Sequence, residues 1–395
     1  MAAAPGWLAR VLAGRIDDLI DRIDGGIARG TIDATLPDGS TRRLGGRAAG
    51  FHAEVTLHEW RALLRLATSG SVGCYVGWEA GEWDSPDPVQ LFGLFMDNAE
   101  TLGDAGRAHG PWRLTARLMH WLRRNTRIGS LRNIHVHYDL GNDFYSAWLD
   151  PTMSYSSARF DGAAGDLASA QRRKIEAIAE RVAGAKTVLE IGCGWGSLAG
   201  ELAARGAQVT AISLSDQQLA WARQRHDGPA DFLKLDYRDI SGQFDAVVSV
   251  EMVEAVGREF WPDFLDAVAR CLRPGGRAAI QFIAMRDDLF DAYARSADFI
   301  QTYVFPGGML IRESEFGRLA EERGLTWEDR AAFGMDYAET LRRWRERFDR
   351  AVQEGRLPAG FDERFVRLWR FYLMYCEGGF RGRGIDVVQV TLTKR

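Results

Sequence analysis

Four cysteines in 395 residues, at positions 74, 193, 271 and 376, are too few and too scattered for a disulfide framework or a thiolate metal site. They suggest a reducing, cytoplasmic setting, and no metal site is expected. No apolar run approaches the roughly 18 residues that a membrane-crossing helix needs. The opening Met-Ala-Ala-Ala-Pro-Gly lacks the charged and apolar regions of a secretory signal. A net charge of −4 gives no overall basic field, so no nucleic-acid partner is expected. The seven histidines, the last of them His226, all precede the third strand of the α/β pattern described below. Acid is also missing locally: between Ala105 and Tyr138 there is no Asp or Glu, while seven arginines occur.

That acid-free stretch sits between two differently patterned regions. Before it, Leu8, Val11, Leu12, Ile16, Leu19, Ile20 and Ile23 recur at helical spacing and Gly25-Gly26 ends the run. Short alternating runs follow, with a turn at Pro37-Asp-Gly-Ser40. A helix is expected over Leu57–Leu66, before a glycine- and aromatic-rich stretch from Gly73 to Asp84. Within the acid-free stretch, Trp112, Leu114, Leu118, Met119, Trp121 and Leu122 share one half of a helical wheel. Arg113, Arg117, Arg123, Arg124 and Arg127 take the other half. A basic helix with tryptophans on its apolar side is the pattern of a segment lying in a lipid interface, where each arginine contributes about 1 kcal/mol near anionic lipid. An interdomain helix packed on the protein gives the same pattern. The division expected is an N-terminal α+β domain over 1–105, a basic amphipathic linker helix over 106–134 and a catalytic domain over 135–395.

From about residue 165 strands and helices alternate. Strands are expected at Thr187–Ile191, Gln208–Ser213, Asp245–Val250 and Arg277–Ile283. Helices are expected at Ala168–Val182, Leu198–Arg205, Gln217–Gln224 and Phe260–Leu272. Ile385 to Leu392 alternates as a late antiparallel strand. The fold class is therefore α/β, a doubly wound and mostly parallel sheet.

The loop Glu190-Ile-Gly-Cys-Gly-Trp-Gly196 lies between a strand and a helix, where glycines let the backbone approach a nucleoside ligand. Its G-x-G-x-G spacing differs from the G-x-G-x-x-G of pyrophosphate binders. With an acid two residues before the first glycine, it resembles the S-adenosylmethionine loop of class I methyltransferases, which implies Glu190, Gly192, Gly194 and Gly196 as cofactor contacts.

A second block, His135-Val-His-Tyr-Asp-Leu-Gly-Asn-Asp-Phe-Tyr-Ser-Ala-Trp-Leu-Asp-Pro-Thr-Met-Ser-Tyr-Ser-Ser-Ala-Arg-Phe160, is far more specific. Together the two blocks resemble the cyclopropane fatty acid synthase family, and the resemblance runs from about Asp38 to the C-terminus. The 1–105 region resembles that family's lipid-facing domain. The resemblance implies cofactor contacts at Tyr155, Ser156, Leu214, Ser215, Gln218, Asp236 and Tyr237, with Tyr237 at the adenine. His137 and Tyr138 would cap the cofactor and acyl tunnel, and Phe299, Tyr303, Phe305 and Phe333 would line an acyl channel. Core packing explains the aromatics equally well, and a structural histidine held by Asp139 or Asp143 explains His137.

Family members add one carbon to an alkene of a lipid acyl chain. An alkene is a poor nucleophile, so the sulfonium methyl must be held close and in line, which can supply about 7–11 kcal/mol. Methyl attack leaves a carbocation, which needs aromatic faces and negative charge. A base then removes a proton. Loss from the new methyl closes a ring; loss from a neighbouring carbon gives a branched chain. By resemblance, the anion site that holds a bicarbonate base falls on Ser157, Glu254, Gln281, Ile283 and Tyr337. Three positions depart from the family pattern: Ser157 stands where it has cysteine, Ala255 where it has histidine, and Gln281 where it has histidine. Proton removal then falls to bicarbonate, a carboxylate, a tyrosine or water. Glu251 would lie one turn from Glu254 if that segment is helical. The function expected is methyl transfer from S-adenosylmethionine to a cis double bond of a phospholipid acyl chain. The product would be a cyclopropane or a methyl-branched chain. The enzyme would work as a homodimer at the cytoplasmic face of the inner membrane, on anionic lipid. Methylation of another lipid or a small amine is the alternative, as is a non-catalytic lipid-binding protein.

Overall fold

The computed structural model describes residues 7–103, 140–160, 162, 165–226, 228–296 and 298–395. The basic helix expected over 106–134, together with His137 and Tyr138, lies outside the described residues. The chain forms two compact units.

The first unit takes in the described residues up to Gly103 together with those of Asp291–Tyr303 and Asp362–Gly384. It is therefore assembled from three separate stretches, two of them beyond residue 135. The expected first helix runs over Trp7–Gly26. Strands β1 (Thr31–Thr35), β2 (Thr41–Gly45), β3 (His52–Leu57) and β4 (Trp83–Asp84) form a sheet in the order β2-β1-β3-β4. The Pro37–Ser40 turn closes the β1–β2 hairpin, with Leu36 N–H donating to Ser40 O at 2.8 Å. The next helix is longer than its sequence suggests and runs over Arg61–Glu79, kinked at Gly70 (φ 54°, ψ −133°). Helix Glu363–Arg381 packs on helix Pro88–Asp97 so closely that a Cβ at Gly378 would meet Phe92 Cβ at 2.4 Å and Gly93 N at 2.9 Å. A buried aromatic cluster joins the three stretches: Phe299 contacts Tyr75 and Phe371 with ring centroids 5.0 and 4.8 Å apart.

The second unit holds the α/β sheet. Strands β5 (Thr187–Ile191), β6 (Gln208–Ser213), β7 (Ala230–Lys234), β8 (Phe244–Val250), β9 (Leu272–Met285), β10 (Ile311–Arg312), β11 (Leu325–Ala332) and β12 (Ile385–Lys394) form one sheet. Its order is β11-β12-β9-β8-β5-β6-β7, with β10 added on β9. The pairs β5–β6, β5–β8, β6–β7 and β8–β9 are parallel, and β12 is antiparallel to β9, as its alternation implied. β5 is buried along Val188–Ile191 because helices cover both faces. Capping side chains start two of these helices: Asp166 accepts from Ser169 N–H at 2.7 Å, and Ser215 accepts from Gln218 N–H at 3.3 Å. The chain order reverses on either side of β5, so the carboxyl ends of β5, β6 and β8 open on one edge, where ligands of such sheets bind.

Candidate active site

The glycine loop leaves the end of β5. Gly192 and Cys193 both donate to Ile212 O of β6 at 3.0 Å, which fixes the loop against the neighbouring strand end. Gly192, Gly194 and Gly196 all have positive φ (83°, 53° and 87°), a region other residues enter only with strain. A Cβ at Gly192 would meet Met252 Cγ at 2.6 Å, whereas a Cβ at Gly194 would meet nothing within 4 Å. The loop is thus packed on one side and open on the other. Glu190 is buried, its Oε2 has no hydrogen-bond partner among the described residues, and burial raises its pKa to about 8 against the pull of Lys174. An open glycine cradle beside an unsatisfied buried carboxyl fits a ligand that carries hydrogen-bond donors and a positive charge, as S-adenosylmethionine does.

The other expected cofactor residues have the following surroundings. Tyr155 packs against Tyr145 and Trp344, with ring centroids 5.2 and 5.3 Å away. Ser156 accepts from Lys174 Nζ at 2.7 Å through its hydroxyl, and from Gln171 Nε2 at 2.8 Å through its carbonyl. Leu214 and Ser215 follow β6, and Gln218 Oε1 accepts from Ser213 Oγ at 3.2 Å. Tyr237 is buried against Phe264 and under the Arg238 guanidinium. The Asp236 carboxylate is paired with Arg238, which donates Nε at 2.8 Å and Nη2 at 2.5 Å.

A constellation that the sequence only partly revealed lies at the end of β8. Glu251 follows Val250 and sits at φ 48°, so it is not on a helix with Glu254; a short 3-10 turn begins only at Val253. Its own N–H donates to Gln281 O at 2.8 Å. Its Oε1 accepts from Ser157 N–H at 2.9 Å and from Gln281 Nε2 at 2.7 Å, and its Oε2 accepts from Tyr337 OH at 2.7 Å. Gln281 is aimed by Gln389, whose Nε2 donates to Gln281 Oε1 at 3.0 Å and leaves Gln281 Nε2 for the carboxylate. Ile283, two residues along β9, donates its N–H to Glu254 Oε1. Ser157, Gln281 and Tyr337 therefore meet on Glu251, and Ile283 meets Glu254 beside them. The centre of the group is Glu251.

The two acids are tuned apart. Burial raises Glu251, but its three hydrogen bonds and Lys174 oppose that rise. Glu254 rises to about 8, through burial first and then the Glu251 charge; its Oε2 has no hydrogen-bond partner among the described residues. Burial lifts both carboxyls, and Glu254, next to the Glu251 charge and without the hydrogen bonds that Glu251 receives, is the one pushed furthest toward its protonated form at neutral pH. A row of rings leads from the glycine loop to this pair. Trp195 contacts Tyr145 at 5.2 Å, and Trp344 contacts Tyr337 at 6.1 Å, with Tyr145, Tyr155 and Trp344 between them.

Phe299 and Tyr303 belong to the first unit, while Phe305 belongs to the second. Phe299 is fully buried in the first unit's aromatic cluster, and Asp298 before it accepts from Ser71 Oγ at 2.9 Å and Tyr375 OH at 2.6 Å. Lys174, Gln171, Gln389 and Trp344 were not singled out from sequence. Gln171 and Lys174 lie one turn apart beside Ile175 and Ile178 on the buried face of their helix, and polar residues on an apolar face are the signal that marked them. Among the described residues there is no cluster of metal-ligating side chains.

A mostly parallel sheet whose first strand feeds an acid-and-glycine loop, with its site at the strand ends, defines a class I S-adenosylmethionine-dependent methyltransferase. Residues 125–390 match the family model described as mycolic acid cyclopropane synthetase, and the chain belongs to that family. It is 40% identical over 359 residues to tuberculostearic acid methyltransferase UfaA1 of Mycobacterium tuberculosis, covering 84% of this chain and 80% of that protein. It is 37% identical over 262 residues to the cyclopropane-fatty-acyl-phospholipid synthase of Escherichia coli, covering 65% and 66% of the two chains. The crystal structure of mycolic acid cyclopropane synthase CmaA1 complexed with SAH and CTAB superposes with a TM-score of 0.63 at 27% identity, over 67% of this chain and 98% of that one.

Proposed function

We propose that this enzyme transfers the methyl carbon of S-adenosylmethionine to a cis double bond in a phospholipid acyl chain. The observation that carries this reading is the pairing of two buried carboxyls with a row of aromatic rings. An alkene acceptor has no N–H or O–H proton to remove before attack. It becomes a cation afterwards, and a cation is stabilised by negative charge and by ring faces.

S-adenosylmethionine, when bound, supplies an electrophilic methyl group on a sulfonium. Glu190 and the Gly192–Gly196 loop would hold it, with Leu214, Ser215 and Gln218 on the β6 side and Tyr155, Ser156 and Tyr237 completing its surroundings. Gln281 and Tyr337 keep the Glu251 carboxylate in one orientation, so its charge does not have to reorganise as the acyl chain becomes positive. Trp344 is fully buried and holds Tyr155 and Tyr337 on either side of itself.

Purified protein incubated with unsaturated phospholipid vesicles and methyl-deuterated S-adenosylmethionine is expected to give acyl chains of increased mass. Two retained deuteriums indicate that a proton left the new methyl, giving a ring or a methylene branch. Three indicate loss from another carbon and a methyl branch. No mass gain on any lipid would refute the acyl acceptor.

The basic segment 106–134 would bring the site to anionic membranes. Arg123→Glu combined with Arg124→Glu is expected to weaken cosedimentation with anionic vesicles, and to do so most at low salt. Binding that does not change would return the segment to a structural role.

A further inference from the structure

We propose that Glu251 is the enzyme's own base: its carboxylate takes the proton from the methylated acyl chain and makes a separate bicarbonate ion unnecessary. The inference rests on the acyl-chain reading above and specifies its last step. Three of the residues that the resemblance assigns to an anion site are Ser157, Gln281 and Tyr337, whose donors here are a backbone N–H, a side-chain amide and a hydroxyl. All three already donate to the two oxygens of Glu251, at 2.9, 2.7 and 2.7 Å. A carboxylate offers about four lone-pair directions, so one remains for a substrate proton. A second anion would lose these donors and would have to sit, buried, beside a like charge.

The backbone supports the same conclusion. Glu251 holds φ 48°, where glycine is at ease and glutamate is strained, and such strain persists where the surroundings over-determine it. Here its N–H bond to Gln281 O and its three side-chain bonds do so. Gln389 orients Gln281, so Ser157, Gln281, Tyr337 and Gln389 act as positioning residues for the base.

The step balances. The alkene π pair forms the new C–C bond as the methyl's bond to sulfur breaks, and that bonding pair stays on sulfur. Then either a C–H bond of the new methyl breaks and its electron pair closes the ring onto the cationic carbon, or a C–H bond on a carbon next to the cation breaks and its pair forms a double bond; in both cases the proton passes to Glu251. The protonated carboxyl returns the proton to solvent after product leaves.

Two variants test this. Glu251→Gln keeps the size and the backbone while removing the charge. It is expected to lower turnover at least about a hundredfold, with S-adenosylmethionine affinity changed less than about threefold. Glu251→Gly suits the positive φ and opens the anion space. It is expected to be inactive in bicarbonate-free buffer, to regain turnover when bicarbonate is added, and to bind [13C]bicarbonate by NMR. The wild-type protein is expected to turn over equally with and without bicarbonate and to show no [13C]bicarbonate binding. Wild-type binding of [13C]bicarbonate, wild-type turnover that depends on it, or a fully active Glu251→Gln would overturn the proposal. The bicarbonate NMR needs no lipid, so it reads this inference even if the acyl acceptor is wrong; a wild type that alkylates no lipid would instead refute the acceptor.

Discussion

A leucine at Gly194 is expected to weaken S-adenosylmethionine binding at least about a hundredfold, some 2.7 kcal/mol, while the protein stays folded. Nothing among the described residues lies within 4 Å of the Cβ position at Gly194, so a side chain added there starts into the open side of the loop. Its φ of 53° costs an L-residue about 1–2 kcal/mol, which a domain of this size tolerates. Gly192→Ala is the contrasting change. Its Cβ would meet Met252 Cγ at 2.6 Å and Met252 Cβ at 3.0 Å at φ 83°, so it should lower the melting temperature as well as affinity. Calorimetric titration beside thermal melts separates the two cases. Full affinity in Gly194→Leu would show that the open side of the loop is not where the cofactor sits.

Glu254→Gln is expected to lower turnover at least about tenfold, roughly 1.4 kcal/mol on the barrier, with little change in cofactor affinity. The amide keeps an acceptor for the Ile283 N–H but can neither release a proton nor carry the negative charge that the proposed reaction calls for. Unaltered turnover would remove Glu254 from the chemistry. The same variant reads the buried carboxyl through stability. The fold raises Glu254 from an ordinary value of 4.5 to about 8, so the folded state prefers the neutral acid. Below pH 4.5 the carboxyl is protonated whether folded or not and costs nothing. Between 4.5 and 8 the unfolded chain ionises first, and each pH unit destabilises the fold by about 1.4 kcal/mol. Above 8 the loss levels off. Glutamine does not titrate, so the variant should gain stability relative to wild type as pH rises from 5 to 8. A stability difference that stays constant over that range would mean the carboxyl is not held neutral.

Much of the second unit was legible because its signals are local. The expected bounds of β5 and β6, Thr187–Ile191 and Gln208–Ser213, are those observed, since buried parallel strands are short apolar runs between turn residues. The helix after β3 extends past Leu66 because the glycines that follow, Gly70, Gly73 and Gly77, lie within it rather than ending it. They serve close packing: a Cβ at Gly73 would meet Arg65 O at 2.0 Å across the kink, and one at Gly77 would meet Trp83 Cδ1 at 3.2 Å. The grouping of 291–303 and 362–384 with the N-terminal region had no local signal, because helix pairing leaves no mark at short sequence range.

The sequence by itself determined the α/β sheet, the glycine loop that follows its first strand, and the residue types of the site at the strand ends. Each of these depends on periodicity or spacing within a few turns of chain. Only the tertiary structure decided which acid stands at the centre. Glu251 is one of two carboxyls three residues apart, and nothing local separates them. Its partners Ser157, Gln281 and Tyr337 lie 94, 30 and 86 residues away in the chain. Strand register, a left-handed backbone turn after β8 and the first turn of the helix Gly334–Gln353 place all three donors on one carboxylate, and those are products of packing at long range.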